Sequence, residues 1–237
     1  MIGCACAVCR STDPRDQRLR TSALLRSGGQ NWIIDTGPDF RQQMLRARVD
    51  EIAGVILTHE HNDHIAGLDD LRPFCFRQEM DIPVYCLPRV AADIRRRYAY
   101  VFGSYPGVPR IDIRTIEFGD RLACGDEEVE FLRVDHGRLP IVGLRTERLA
   151  YLTDVKELPA RTQVRCKGLD SIVLSALNQR GTHSHLSLPE AVDYLRRLAP
   201  GRAWLTHLSH RMGLAAELDG LTPDTVRVGY DGLTVAC

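Results

Sequence analysis

The sequence has no long apolar run. A membrane-crossing helix needs roughly 20 consecutive apolar residues, and polar or charged residues interrupt every hydrophobic stretch well short of that, so no transmembrane helix is expected. The N-terminus has neither the basic region nor the apolar core of a secretory signal. The expected compartment is therefore cytoplasmic, where the eight cysteines should be reduced thiols or metal ligands rather than disulfides. Net charge is missing too, since 31 basic residues meet 31 acidic ones. A dedicated nucleic-acid binder carries a basic footprint, so no such surface is expected. Lysine is scarce beside arginine, which leaves room for local phosphate contacts. Low-complexity tracts and residue-level repeats are also lacking, and 237 residues with 44% hydrophobic content read as one domain with a real core.

What the chain does have is one dense polar stretch. After the apolar run Val55, Ile56 and Leu57 come His59, His61, Asp63 and His64, with Glu60 and Asn62 interleaved. Neutral imidazoles and carboxylates are the ligands of zinc, manganese and iron. Of eight histidines in the chain, three fall within six positions, which is too concentrated for an ordinary surface turn. A central strand over 52–57, apolar on both faces, would deliver them together at a sheet edge. Other candidate ligands follow other predicted strands: His136 after 129–134, Asp154 after 149–153, and His207 after 203–206. Asp35, after 31–34, is either a turn residue or a carboxylate that orients metal-bound histidines.

The remaining pattern is mixed α/β. Residues 21–25 and 31–34 read as a hairpin, and Asp39 as the N-cap of a helix with Gln42 three positions on. A helical pattern over 65–72 should end at Pro73. A strand over 83–87 precedes a helix over 89–102, whose Arg95, Arg96 and Arg97 read as a solvated face. Strands are expected over 111–118, 122–124, 141–146 and 171–177. Ser187 and Glu190 form a capping box, with Pro189 in the first turn and an apolar stripe of Val192, Leu195 and Leu198. A strand pair, 226–229 and 233–235, should close the chain.

Cys4, Cys6 and Cys9 open the chain as Cys-x-Cys-x-x-Cys. Three thiolates so close favour a tetrahedral zinc, for which a fourth ligand must come from elsewhere. Cys6 and Cys9 alone would also suit a redox pair, a reading that leaves Cys4 without a role.

In order and type these residues resemble the metallo-β-lactamase superfamily, whose His-x-His-x-Asp-His motif matches His59, His61, Asp63 and His64 without a gap. Within it the chain is most similar to the phosphoribosyl 1,2-cyclic phosphate phosphodiesterases of phosphonate degradation. The matching stretches begin at Ile2 and Gly3 with the cysteine motif. They continue with Asp35, Thr36, Gly37, Pro38 and Asp39, then Gly67, Leu68, Asp69, Asp70, Leu71 and Arg72, then Thr206, His207, Leu208, Ser209 and His210. The resemblance implies an αββα sandwich with the metals at one edge of the two sheets. It assigns His59, His61 and His136 to one divalent cation and Asp63, His64 and His207 to a second, with Asp154 bridging. Manganese, zinc or iron would serve. It implies a separate structural zinc on Cys4, Cys6, Cys9 and His210, and it suggests a homodimer. It also implies a strand ahead of the cysteine motif; here Met1 lies three positions before Cys4, so either the start codon is misassigned, the sequence is truncated, or that edge strand has been lost.

The activity implied is hydrolysis of a small cyclic phosphodiester by hydroxide held between the two cations. His185, just ahead of the Ser187-capped helix, is the candidate proton donor to the leaving oxygen, with His183 as runner-up. Asp63 could relay a proton besides binding metal. The ligand set alone also suits a thioesterase, a lactonase or a transfer-RNA 3′-processing nuclease, and a non-catalytic binding protein on the same fold is the remaining alternative. The cysteine motif and the stretch from Asp69 to Arg72 favour the phosphodiesterase.

Overall fold

The structure, a computed structural model, describes residues 1–236, so Cys237 lies outside the described residues. A single helical turn, α1 (Ala7–Arg10), precedes the hairpin of β1 (Ala23–Ser27) and β2 (Gln30–Ile34). Gly28 and Gly29 connect these strands with φ of 53° and 74°, the left-handed pair that a two-residue hairpin turn requires. α2 (Phe40–Ala47) starts after Asp39 as expected, but the Asp39 carboxylate does not cap it. That carboxylate accepts from the Arg20 N–H at 2.7 Å instead.

β3 (Gly54–Ile56) is buried throughout and is followed by α3 (Asn62–Ile65), a 3-10 turn at Leu68–Leu71, and α4 (Arg72–Gln78). Pro73 was expected to end a helix, yet it stands in the first turn of α4. A proline there gives up only an N–H that has no helical partner. β4 (Ile82–Cys86) leads to α5 (Pro88–Arg97), which stops at Tyr98 rather than running to residue 102. Residues Ala99–Phe102 form a separate 3-10 turn before β5 (Ile111–Thr115).

The chain continues through β6 (Arg121–Cys124), β7 (Glu127–His136), β8 (Leu139–Arg145) and β9 (Leu149–Leu152). Then come α6 (Ala160–Cys166), β10 (Ser171–Ser175), α7 (Leu188–Leu198), β11 (Arg202–Thr206), α8 (Ala215–Leu218) and β12 (Val226–Val228). The final hairpin does not form. Leu233 N closes a turn on Tyr230 O at 3.0 Å, and β12 pairs in parallel with β11.

Two mixed sheets result, ordered β1-β2-β3-β4-β5 and β12-β11-β10-β9-β8-β7-β6. In the first, β1 and β2 are antiparallel and the remaining pairs parallel. In the second, β9 through β12 are parallel, and β7 with β8 and β8 with β9 are antiparallel. The chain divides into two compact units: Arg20–Val129, and Met1–Leu19 together with the chain from Glu130 onward. Among the described residues no helix is long and apolar enough to cross a membrane. Cys4, Cys6, Cys9, Cys75, Cys86, Cys124 and Cys166 are free thiols. Burial pushes Cys86, Cys124 and Cys166 up to about 12, which leaves them as inert core groups.

In the second unit α7 buries Leu188, Ala191, Leu195 and Leu198 in one core with Leu152, Ile172, Leu174, Ala203 and Leu205. Ser187 Oγ accepts from Glu190 N at 3.3 Å, and Glu190 Oε2 accepts from Ser187 N at 2.7 Å, which completes the capping box read from sequence. Ser187→Ala is expected to destabilise the protein by about 1 kcal/mol, measurable as a lowered urea midpoint with unchanged slope.

Candidate metal centres

The expected ligands divide between the two units. His59, His61, Asp63 and His64 fall in residues Arg20–Val129, whereas His136, Asp154, His207 and His210 fall in the other unit with Cys4, Cys6 and Cys9.

In the first unit β3 ends in the core, and the chain then turns through His59 to α3. His59 and His64 are fully buried, with ring centroids 4.2 Å apart. His59 Nε2 lies 3.0 Å from His61 Nδ1. Two imidazoles on one tetrahedral zinc would stand roughly 3.3 Å apart, given Zn–N bonds of about 2.0–2.1 Å. Asp63 Oδ2 lies 3.6 Å from His64 Nε2.

One buried carboxylate organises these rings. Asp35 Oδ2 is 2.6 Å from His64 Nδ1 and accepts from Thr58 Oγ1 at 2.8 Å, while Oδ1 accepts from Thr58 N at 2.8 Å. An ionised carboxylate has no proton to give, so His64 carries its proton on Nδ1 and leaves Nε2 for a metal. Thr58 spends its hydroxyl proton on Asp35, so it can only accept from His59 Nδ1, 3.0 Å away. His59 is thereby also left with Nε2 as its ligand atom. Asp35 therefore sets the tautomer of one histidine directly and of a second through Thr58.

Two glycines let this loop pack. A Cβ on Gly37 would stand 2.3 Å from Asp63 O, and one on Gly67 would stand 2.2 Å from Gly37 O. The segments are joined by Thr36 N to His64 O at 2.7 Å and Gly67 N to Thr36 O at 2.8 Å. Gly67→Ala is expected to cost about 1–3 kcal/mol, as overpacking does, and to reduce the metal that co-purifies. Thermal unfolding and elemental analysis would measure the two effects.

Glu60 and Asn62, interleaved with the ligands, face α5. Arg89 Nε donates to Glu60 Oε1 at 3.0 Å, and Arg97 Nη1 to Asn62 Oδ1 at 2.7 Å. A helix expected to show only a solvated basic face thus braces the motif at both of its non-ligand positions. Sequence reading missed these partners because nothing local pairs them.

In the second unit His136 ends β7 and its Nδ1 donates to Ser184 O at 2.7 Å, which again leaves Nε2 for a metal. Asp154 is 1% exposed. Its Oδ1 lies 3.2 Å from His207 Nε2 and 3.5 Å from His185 Nδ1, and its Oδ2 accepts from Thr153 Oγ1 at 2.7 Å. His136, Asp154 and His185 each offer a ligand atom within 4.8 Å of the others. His185 therefore stands among the expected ligands, while His183 is exposed.

Among the described residues six non-glycines have positive φ, and three are Asp35 (64°), Asp154 (51°) and His207 (56°). Each follows a strand and turns the chain sharply. Such backbone costs about 1 kcal/mol or more, although Asp and His tolerate it better than most residues.

The cysteine cluster closes on His210. Cys4 Sγ and Cys6 Sγ lie 3.4 and 3.5 Å from His210 Nδ1. Sulfur and nitrogen on one tetrahedral zinc would be roughly 3.6 Å apart, from bonds of about 2.3 and 2.0–2.1 Å. The four ligand atoms lie within 4.8 Å of one another. The Cys9 backbone N–H, with help from His210, pulls the Cys6 thiol down to about 6, so it is a thiolate at neutral pH.

The comparisons agree with this fold. Residues 30–208 match the beta-lactamase superfamily domain, and the chain belongs to that family. It is similar to a solved diphosphatase of the PhnP family, with TM-score 0.91 and 32% identity, over 98% of this chain and 89% of that one. An octanoyltransferase of Porphyromonas gingivalis is 40% identical across 98% of this chain, which spans 48% of that protein. A ribonuclease Z of Mycolicibacterium gilvum is 38% identical over 69% of this chain and 62% of its own length. The chain thus has the metallo-β-lactamase fold and is similar to a PhnP-family diphosphatase.

Proposed function

We propose that this chain hydrolyses a small phosphodiester, with phosphoribosyl 1,2-cyclic phosphate as the leading substrate and the two histidine–aspartate sets as the ligands of two divalent cations. The observation that carries this reading is the likeness to a PhnP-family diphosphatase, 32% identical over 98% of this chain. Hydrolysis of a cyclic phosphodiester and of a diphosphate share attack of water on phosphorus. Divalent cations, whether manganese, zinc or iron, supply water of lowered pKa, near 7 for zinc, and neutralise phosphoryl oxygens.

The chain's own groups do the rest. Asp35 and Thr58 fix the tautomers of His64 and His59 and hold their Nε2 atoms in place. Ser184 O does the same for His136. His185, 3.5 Å from Asp154, is the group we assign to protonate the leaving oxygen. Asp63, beside His64, is a ligand and a proton relay. The even charge balance supports a small-molecule substrate rather than nucleic acid, and the cysteine cluster is assigned a structural zinc. A homodimer is the proposed assembly.

His185→Ala is expected to slow hydrolysis of a diester with an alkyl leaving group while sparing a nitrophenyl leaving group, which departs without a proton. Equal activity of the variant on both would remove His185 from the mechanism. The fold and the candidate ligand set also suit a second reading, a thioesterase or lactonase. A panel of phosphoribosyl 1,2-cyclic phosphate, 2′,3′-cyclic nucleotides, a dinucleoside diphosphate, a lactone and an octanoyl thioester, each with manganese and with zinc, separates the readings. Turnover of the thioester alone would overturn the phosphodiesterase.

A further inference from the structure

Residues 11–20 are strongly charged and form only one 3-10 turn, Pro14–Asp16, yet they contain one of the most enclosed ion pairs among the described residues. Arg18 Nη2 lies 3.3 Å from Asp16 Oδ1, with side chains 11% and 3% exposed. The guanidinium does more than pair. Its Nη1 donates to Ser209 O at 2.8 Å and its Nη2 to Gly213 O at 2.8 Å. Asp16 in turn accepts from Ala215 N at 2.8 Å and from Ser11 Oγ at 2.7 Å. One ion pair therefore pins three points, residues 209, 213 and 215, of the turn that follows β11.

That turn carries both His207 and His210. His207 has a φ of 56°, a conformation the surroundings must enforce, and its Nε2 lies 3.2 Å from Asp154 Oδ1. His210 meets Cys4 and Cys6. Ser209 N to Leu177 O at 2.9 Å and Gln179 Nε2 to Met212 O at 2.7 Å fasten the turn to the segment that follows β10. Arg18 and Asp16 hold its opposite flank. A guanidinium's planar fork reaches two carbonyls and a carboxylate at once, which an ammonium on a flexible stem does not reproduce.

We propose that Arg18 is a positioning residue for the metal chemistry: by clamping Ser209 O and Gly213 O against Asp16 it fixes the turn that aims His207 at Asp154. The proposal rests on the reading of His207 as a metal ligand. Residues that orient ligands without touching metal commonly govern affinity on the order of 10–100-fold, and a loss of that size is expected here.

The test is Mn²⁺ titration by calorimetry of the full chain, with zinc content and thermal unfolding measured alongside. The proteins are wild type, Arg18→Ala, Arg18→Lys, His207→Ala and the core truncation Leu198→Ala. Arg18→Ala should bind Mn²⁺ on the order of 10–100-fold more weakly and recover in millimolar guanidinium. His207→Ala should lose affinity without recovery, and Leu198→Ala should lose stability but keep affinity. Wild-type affinity in Arg18→Ala alongside a loss in His207→Ala would overturn the role of Arg18 and leave His207 a ligand. Wild-type affinity in His207→Ala would overturn both. If Arg18→Ala does not fold, Arg18→Lys decides, with weakened Mn²⁺ binding expected and undiminished binding refuting the proposal.

Discussion

Asp35→Ala is expected to give a protein that neither holds metal at the His59–His64 motif nor unfolds at the wild-type temperature. Asp35 is fully buried and accepts from Thr58 N, Thr58 Oγ1 and His64 Nδ1 at 2.6–2.8 Å. Removing it leaves buried donors unmet, at about 1–3 kcal/mol each before relaxation. Alanine must also adopt a φ of 64°, which suits Asp or Asn far better. The tautomer lock on His64 and, through Thr58, on His59 disappears with the carboxylate. Asp35→Asn separates the contributions. Asn tolerates the backbone, but its amide offers one acceptor oxygen where the native carboxylate offers two. Its N–H₂ would oppose a donor. The expected result is near-native unfolding for Asn relative to Ala, with metal affinity reduced 10–100-fold in Asn and lost in Ala. Native metal content in Asp35→Asn would show that the histidines orient themselves without it.

The candidate ligands stand out in the sequence because their signal is local. His59, His61, Asp63 and His64 announce chemistry by spacing alone, and Ser187 with Glu190 announces a helix start in the same way. Asp35 could be named from sequence but not decided, since whether a turn aspartate orients a histidine depends on a contact 29 positions away. Arg18 was opaque for the same reason, its partners lying 191 and 195 positions on. Arg97 looked like solvated charge because helical periodicity shows which face is polar and not what that face meets. The choice between His183 and His185 also turns on tertiary placement. The structure puts His185 3.5 Å from Asp154 and leaves His183 exposed. Pro73 misled because one residue type both ends helices and begins them.

Cys9→Ser is expected to remove one zinc per chain, counted by elemental analysis, and to lower the unfolding temperature. The cluster joins α1 to the turn at His210, residues more than 200 positions apart in sequence: Cys4 to His210 spans 206. Closing so long a loop constrains the unfolded chain, so the site should matter more to stability than its exposed position implies. Structural zinc in small peptides contributes about 10–16 kcal/mol. Much of that is spent on folding the peptide, so a loss of roughly 3 kcal/mol is a conservative expectation here. At about 2–4 °C per kcal/mol for a chain of this size, the midpoint should fall by roughly 6–12 °C. A strong chelator added to the wild-type protein should reproduce the shift, and Cys9→Ser should then be insensitive to it. The pH dependence follows from Cys6. Its thiol is drawn down to about 6 by the Cys9 N–H, so the thiolate form is present above that value and is lost as pH falls through it. Cys9, whose thiol is raised by burial and by its neighbouring cysteines, is still protonated at neutral pH. Because protons and zinc compete for the same sulfur, zinc affinity should already fall as pH is lowered there and fall more steeply below about 6, where Cys6 takes up a proton too. Equal zinc content and equal unfolding midpoints in the wild type and Cys9→Ser would exclude a metal at these four residues and return Cys6 and Cys9 to the redox reading.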